Sequence, residues 1–193
     1  MSTTRLEAYS DAVIAIVITI MVLEFRPPEG VDFAALRPLM PIFLGYVLSF
    51  VFLSIYWNNH HHLLQATKAV NGAVTWANVH LLFWLSLIPF TTNWLSENPG
   101  ATWPTVLYGF DLFMAAVAYT ILTRAILALQ GRDSALGQAL GSDAKGKLSV
   151  ALYLLAILLA FFFPFIAHTI YAIVALMWLI PDRRIENGIV DNE

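Results

Sequence analysis

The longest apolar run in this chain, Leu148 to Pro181, covers about 34 residues, and four further runs precede it. These are Ala12–Phe25, Leu39–Trp57, Ala73–Leu95 and Val106–Leu129. A helix that crosses a bilayer needs about 20 mostly apolar residues, so each run is long enough, or nearly so, to be one. The last is too long for a single crossing and holds Pro164 near its middle, where a proline breaks or kinks a helix. It is therefore expected to fold as a tight helical hairpin. Composition agrees, since 59% of the 193 residues are apolar and only 12% are charged, whereas soluble domains run near half and a quarter. The expected fold is an all-α integral membrane protein. One domain, residues 1–193, would carry six transmembrane helices over about 5–26, 37–57, 72–96, 104–130, 147–163 and 165–181. The runs are continuous rather than alternating, which argues against an outer-membrane barrel.

Several function classes fall away. A disordered chain needs low hydrophobicity and many charges. Ten basic against thirteen acidic residues, with no basic stripe, disfavour nucleic-acid binding. With no cysteine, disulfides, thiolate metal sites and cysteine nucleophiles are excluded. The motifs G-x-S-x-G, H-E-x-x-H and the P-loop are missing, so an enzyme is not expected. The T-V-G-Y-G filter of ordinary potassium channels is missing as well.

Lysine and arginine placement sets the expected orientation. With the N-terminus inside, Arg5, Lys68, Arg124, Arg132, Lys145, Lys147, Arg183 and Arg184 lie at the cytoplasmic face, and only Arg26 and Arg37 lie outside. Both termini are thus expected in the cytoplasm. The first run is followed by Glu24-Phe25-Arg26-Pro27-Pro28 rather than by a small-residue cleavage site, so it reads as a helix and not as a signal peptide. Gln130–Gly146 reads as a cytoplasmic loop, and no internal repeat is evident.

Ionisable residues inside a membrane are costly and need a reason. Asp11 lies about a turn inside the first helix and shares a stripe with Ala15, Ile18 and Val22. It serves either as a proton or cation ligand or as an anchor hydrogen-bonded to neighbouring helices. The second helix ends in Tyr56-Trp57-Asn58-Asn59-His60-His61-His62. Adjacent helical residues point about 100° apart, so three consecutive histidines cannot all reach one metal ion. Asn78 and His80 lie at a matching depth on the third helix. Arg5, Ser10, Asp11, His61, Asn78 and His80 are therefore expected to form one structural polar network. Pro89-Phe90-Thr91-Thr92-Asn93 is expected to break the third helix near the outer face. Asp111 and His168 read as satisfied interior or interface residues.

The opposite stripe of the first helix holds Ala12, Ile16, Thr19, Ile20 and Leu23. By periodicity alone this is ordinary lipid-facing or packing surface. Copies of one such helix around an axis would instead stack aliphatic rings that can close a pore by dewetting.

The run Arg5-x-x-x-Tyr9-Ser10-Asp11, continued by Ala12-Val13-Ile14-Ala15-Ile16-Val17-Ile18-Thr19-Ile20-Met21-Val22-Leu23-Glu24, resembles the signature of the transmembrane protein 175 family. Those proteins are endolysosomal potassium channels with shorter prokaryotic relatives. The family's aromatic is phenylalanine where Tyr9 stands here. Tyr56-Trp57-x-x-His60-His61, Asn78 and Pro89-Phe90-Thr91 extend the resemblance over roughly the first half of the chain. The resemblance implies a six-helix subunit that assembles as a homotetramer in a prokaryotic plasma membrane. It implies a pore lined by the first helix, with Ile16 at the hydrophobic constriction and Ile20 and Leu23 in the next layers. Thr19 falls on the layer linked to potassium preference. Arg5, Ser10 and Asp11 fall on positions that hold the helices together. Potassium is then the permeant ion, and no cofactor is expected. The rival reading is a proton- or cation-coupled secondary transporter that uses Asp11, His61 and His80 as a relay.

Overall fold

The computed structural model describes residues 2–131, 134, 136–137 and 143–179. Six long helices account for most of them: α1 (Thr3–Val22), α2 (Met40–Gln65), α3 (Gly72–Glu97), α4 (Thr102–Gln130), α5 (Ala144–Ala160) and α6 (Pro164–Leu179). A 3-10 helix, Phe33–Leu39, leads into α2. Arg132, Ile180, Pro181, Arg183 and Arg184 lie outside the described residues.

Local chemistry sets the helix ends. The Ser2 side chain accepts from the Arg5 N–H and starts α1, and Asn71 does the same for α3 through Val74 N–H, each satisfying an orphan donor of the first turn. At the far end of α1, the amides of Leu23, Glu24 and Phe25 each reach back three residues, to Ile20, Met21 and Val22. That tightening ends the helix at Val22, four residues before its expected limit. Pro27 and Pro28 follow, and a residue before proline is disfavoured in the helical region. Helix α2 differs in the other direction. It runs through the histidines to Gln65 instead of ending at residue 57, where the His60 and His61 side chains find partners on α3 and α1. Helix α4 stops at Gly131, whose φ of 86° suits a residue without Cβ.

The expected break at Pro89 does not occur: α3 continues to Glu97 with Pro89 inside it. Prolines are tolerated in membrane helices where hydroxyl side chains and neighbouring helices re-satisfy the backbone. Here α3 is clasped by α1, α2 and α4 around that point, and Thr91 bonds across to Asp111 on α4 at 3.0 Å. In the final hairpin, Pro164 is the first residue of α6 rather than the divider between two helices, a position where its missing N–H costs nothing.

By length and composition, Phe33–Gln65, Gly72–Glu97 and Thr102–Gln130 are each apolar and long enough to cross a membrane. Helix α1 has the length but carries Arg5, Glu7 and Asp11 in its first half, and α5 and α6 are shorter, at 17 and 16 residues. Helix α3 is the hub, packing against α1, α2 and α4, while α5 packs against α4 and α6. The α4–α6 contact is close enough that a Cβ at Gly109 would overlap the Tyr171 hydroxyl.

Candidate functional site

Helix α1 divides cleanly into two faces. Leu6, Ser10, Ile14, Val17 and Met21 are buried against the rest of the subunit. These positions repeat every three or four residues and so form one stripe. The opposite stripe, Tyr9, Ala12, Ile16, Thr19, Ile20 and Leu23, is exposed. Ile16 is 57% exposed, Ile20 42% and Leu23 76%. A continuous aliphatic strip of this kind is turned away from its own subunit along the whole helix. Among its aliphatic residues stands one threonine, Thr19, whose hydroxyl donates to the Ile16 carbonyl at 2.9 Å. With the proton committed inward, the oxygen lone pairs are what Thr19 presents to the outside.

Behind this strip, three sets of hydrogen bonds fasten α1 to its neighbours. The first is a directional chain in the protein interior. His60 Nε2 donates to Asn78 Oδ1 at 2.6 Å, Asn78 Nδ2 donates to Ser10 Oγ at 2.8 Å, and Ser10 Oγ donates to the Leu6 carbonyl at 2.9 Å. His60, Asn78 and Ser10 are fully buried, so each bond forms where an unmade one would be expensive. The second set is a hydrogen bond, His61 Nδ1 to Glu7 Oε1 at 2.7 Å. The third is Trp57 Nε1 donating to Asp11 Oδ1 at 3.0 Å. The Trp57 and His61 rings stack at 6.1 Å, which joins the last two pairs into one patch.

The six residues expected in one network are therefore distributed. Ser10 and Asn78 are in direct contact. Asp11 and His61 sit in the neighbouring patch. His80 is apart from both, accepting from Trp84 Nε1 at 2.9 Å on its own helix. Arg5 is exposed. Two participants were missed by sequence reasoning. His60, not His61, reaches Asn78; and Glu7, one turn before Asp11, is the partner of His61. A helix prolonged through the histidine run would have pointed to His60, since that residue shares a face with Leu53, Leu63 and Leu64, all buried. Elsewhere, Asp111 is buried on α4 and accepts from the Thr91 hydroxyl at 3.0 Å, and His168 Nε2 pairs with Thr105 Oγ1 at 2.9 Å.

Comparison with known proteins locates this arrangement. Residues 5–89 match the family described as "Endosomal/lysosomal potassium channel TMEM175". A protein from Chryseobacterium named as a potassium channel is 51% identical over 192 residues, covering 100% of both chains. The chain belongs to the TMEM175 family. That is a family of ion channels, not enzymes. A Streptomyces collinus protein, also named as a potassium channel, is 34% identical over 61% of each chain. The human protein named "Endosomal/lysosomal proton channel TMEM175" is 23% identical over 64% of this chain and 24% of its own length. Among solved structures, the chain is similar to the lysosomal potassium-selective channel TMEM175 homolog from Chamaesiphon minutus. That TM-score is 0.81 at 25% identity, covering 93% of this chain and 97% of the other. The TMEM175 match over residues 5–89 takes in α1, α2 and most of α3, which are the helices joined by the hydrogen bonds above.

Proposed function

We propose that this TMEM175 protein is a potassium-permeable cation channel that conducts passively through a central pore. Four copies assemble as a homotetramer, and the exposed stripe of α1 faces the shared axis. Ile16, Ile20 and Leu23 form the hydrophobic constriction, and Thr19 supplies the oxygen layer between them. Both termini lie in the cytoplasm of a prokaryotic cell whose plasma membrane holds the channel. The observation that carries this reading is the division of α1 into a buried, hydrogen-bonded face and an exposed aliphatic face with one inward-donating hydroxyl.

The physical argument has three parts. Aliphatic rings at one level of a narrow pore expel water and block ions until they part or are wetted. A hydroxyl whose proton is held by the backbone offers only lone pairs, which suits a partly dehydrated monovalent cation better than an anion. Neutral oxygens without carboxylates suit a monovalent ion better than calcium or magnesium, which favour charged oxygen ligands. Discrimination between potassium and sodium is modest in this arrangement, because no ring of backbone carbonyls lines the path. The bonds of Ser10, Asn78, His60, Asp11 and His61 hold α1 at a fixed tilt and rotation behind the constriction. The coupled-transporter alternative needs a relay through Asp11, His61 and His80. The separate placement of His80 with Trp84 favours the channel.

The test is potassium efflux from liposomes that contain the purified protein, wild type against Ile16→Asn. An asparagine at the constriction wets the pore, so the variant is expected to pass potassium several times faster than the wild type. Liposomes that leak no faster than protein-free controls with either form, while the protein is folded and tetrameric, would remove the channel reading. Uptake that requires a second, coupled solute would replace it with the transporter.

A further inference from the structure

The exposed stripe of α1 holds one large side chain that the constriction does not use. Tyr9 precedes Ile16 by seven residues, and Leu23 follows Ile16 by seven. Seven residues fall about 20° short of two helical turns, so the three lie nearly on one line along the helix. Tyr9 is 53% exposed, close to the 57% of Ile16. The other six tyrosines of the chain are buried or half-buried. Three of those, Tyr108, Tyr119 and Tyr171, engage their hydroxyls inside the subunit, with Ser49, the Asn59 carbonyl and the Thr105 carbonyl. The Tyr9 hydroxyl makes no hydrogen bond to another described residue.

Neighbours on the same face set its level. At 1.5 Å per residue, Tyr9 sits about 10 Å to the N-terminal side of Ile16, and Thr19 about 4 to 5 Å beyond Ile16 on the other side. Between Tyr9 and Ile16 the outward residue is Ala12, which is also exposed. Four copies around an axis would stack two levels of large side chains, with a wider chamber at the alanine level between them. The hydroxyls of Tyr9 and Thr19 then stand on opposite sides of the Ile16 level.

A tyrosine near a helix end is commonly an anchor in the lipid headgroup layer. That role requires the ring to meet lipid. Tyr9 and Ile16 share one line, so α1 cannot turn Ile16 toward an axis and Tyr9 toward lipid at once. A phenol facing a water-filled mouth suits a cation in two ways. Its oxygen lone pairs replace a water of hydration, and its ring face attracts positive charge. Arg5 is also exposed, one turn nearer the N-terminus. Its side chain leans further that way, into water where salt screens its charge over about 8 to 10 Å. Glu7 and Asp11, on either side of Tyr9 in sequence, are turned to α2, bonded to His61 and Trp57.

We propose that Tyr9 is a second ion-contacting residue of the pore: four copies form a collar at its cytoplasmic mouth that holds a partly hydrated monovalent cation before the Ile16 constriction. This rests on the assignment of the exposed α1 stripe to a shared axis.

The experiment records potassium currents from the purified full-length protein in liposome patches. The chain has no cysteine, so Tyr9→Cys introduces a single thiol. Two methanethiosulfonate reagents are applied from each side, one carrying a trimethylammonium group and one a sulfonate. The cationic reagent, from the cytoplasmic side, is expected to reduce the current. Its rate should exceed that of the anionic reagent at least about fivefold, after each is divided by its rate with a free thiol in solution. From the outer side neither should act, because Ile16 lies between. Tyr9→Phe keeps the ring and removes the hydroxyl. It is expected to raise the potassium concentration for half-maximal current about fivefold, the scale of one lost polar contact. Tyr9→Phe alone decides the matter if Tyr9→Cys does not assemble. Equal corrected rates for the two reagents, or a half-maximal concentration unchanged in Tyr9→Phe, would make Tyr9 a surface anchor and overturn the proposal. Ile16→Asn, recorded alongside, separates the two readings. A raised current in Ile16→Asn with either of those results leaves the channel and removes the collar, whereas no current from wild type or Ile16→Asn removes both.

Discussion

The helices α1 to α3 and the helices α4 to α6 are held together by different means. In the first group, side chains bond directly across helices, as in His60 to Asn78 to Ser10. In the second, large rings fill the space: Tyr108 and Tyr171 meet at 5.6 Å, and Tyr153 and Tyr171 at 6.4 Å. Small residues admit them, as Gly109 admits Tyr171. Lipid tails are as apolar as leucine, so helices in a bilayer gain little by hiding apolar surface from water. Hydrogen bonds and close packing must bring them together instead. The first half leans on hydrogen bonds, whereas the second adds large interlocked rings to a few bonds such as His168 to Thr105 and Tyr171 to the Thr105 carbonyl. Hydrogen bonds fix the rotation of a helix about its axis, which matters for α1 if its outer face meets a shared axis. Ring packing tolerates small rotations, and it leaves a partly open cavity of about 80 Å³ among Phe52, Tyr119, Tyr153 and Trp178.

Breaking the first half should be the more damaging. Asn78→Leu removes both the acceptor of His60 and the donor to Ser10 and strands a buried ring nitrogen. A loss of about 2–3 kcal/mol is expected, read as a lower midpoint when the detergent-solubilised protein is unfolded with SDS. A loss no larger than that of an exposed substitution would show that the chain is decorative.

Next in size is Gly109→Ala in the second half. The new methyl group meets the Tyr171 hydroxyl, and overpacking of this kind costs about 1–3 kcal/mol. Tyr171→Phe removes the nearest of the conflicting atoms, the hydroxyl, though the ring carbons stay close, so the double variant should recover part of that loss. Strict additivity of the two changes would mean that Tyr171 swings away freely and that the packing is looser than drawn here.

The smallest effect sharpens the comparison inside the first half itself. Glu7 and His61 are partly exposed, and such pairs contribute less than about 1 kcal/mol. Glu7→Gln should therefore change stability slightly, and the difference should shrink as salt is added. A cost as large as that of Asn78→Leu would place this pair at the centre of the fastening.

The apolar runs made the helices readable from the sequence, because a bilayer demands continuous stretches whatever surrounds them. The two faces of α1 were readable for a related reason: Ile16, Thr19, Ile20 and Leu23 follow the helical period without interruption. What depended on neighbours was not readable. His60 and His61 are adjacent, and only the rotation of α2 against α3 decides which of them meets Asn78. The continuation of α2 to Gln65 was hidden because His, Asn and Gln look like a boundary until their partners are known. Pro89 looked like a break for the same reason, since the helices that clasp α3 on several sides are not visible in a sequence. The cavity takes its walls from four helices separated by more than a hundred residues, and no local pattern marks it.

Helix α2 also outlasts the bilayer. Its 26 residues span about 39 Å at 1.5 Å each, against about 30 Å of hydrocarbon. With Met40 near one boundary, the last six residues, His60 to Gln65, stand in the headgroup zone on the other side. The fastening of α1 is then partly a device of the lipid surface, where phosphate groups and dissolved ions have access. Ile16 lies nine residues along α1 from Glu7, about 14 Å at 1.5 Å each, so headgroup composition can act on how α1 is held without touching Ile16, Ile20 and Leu23.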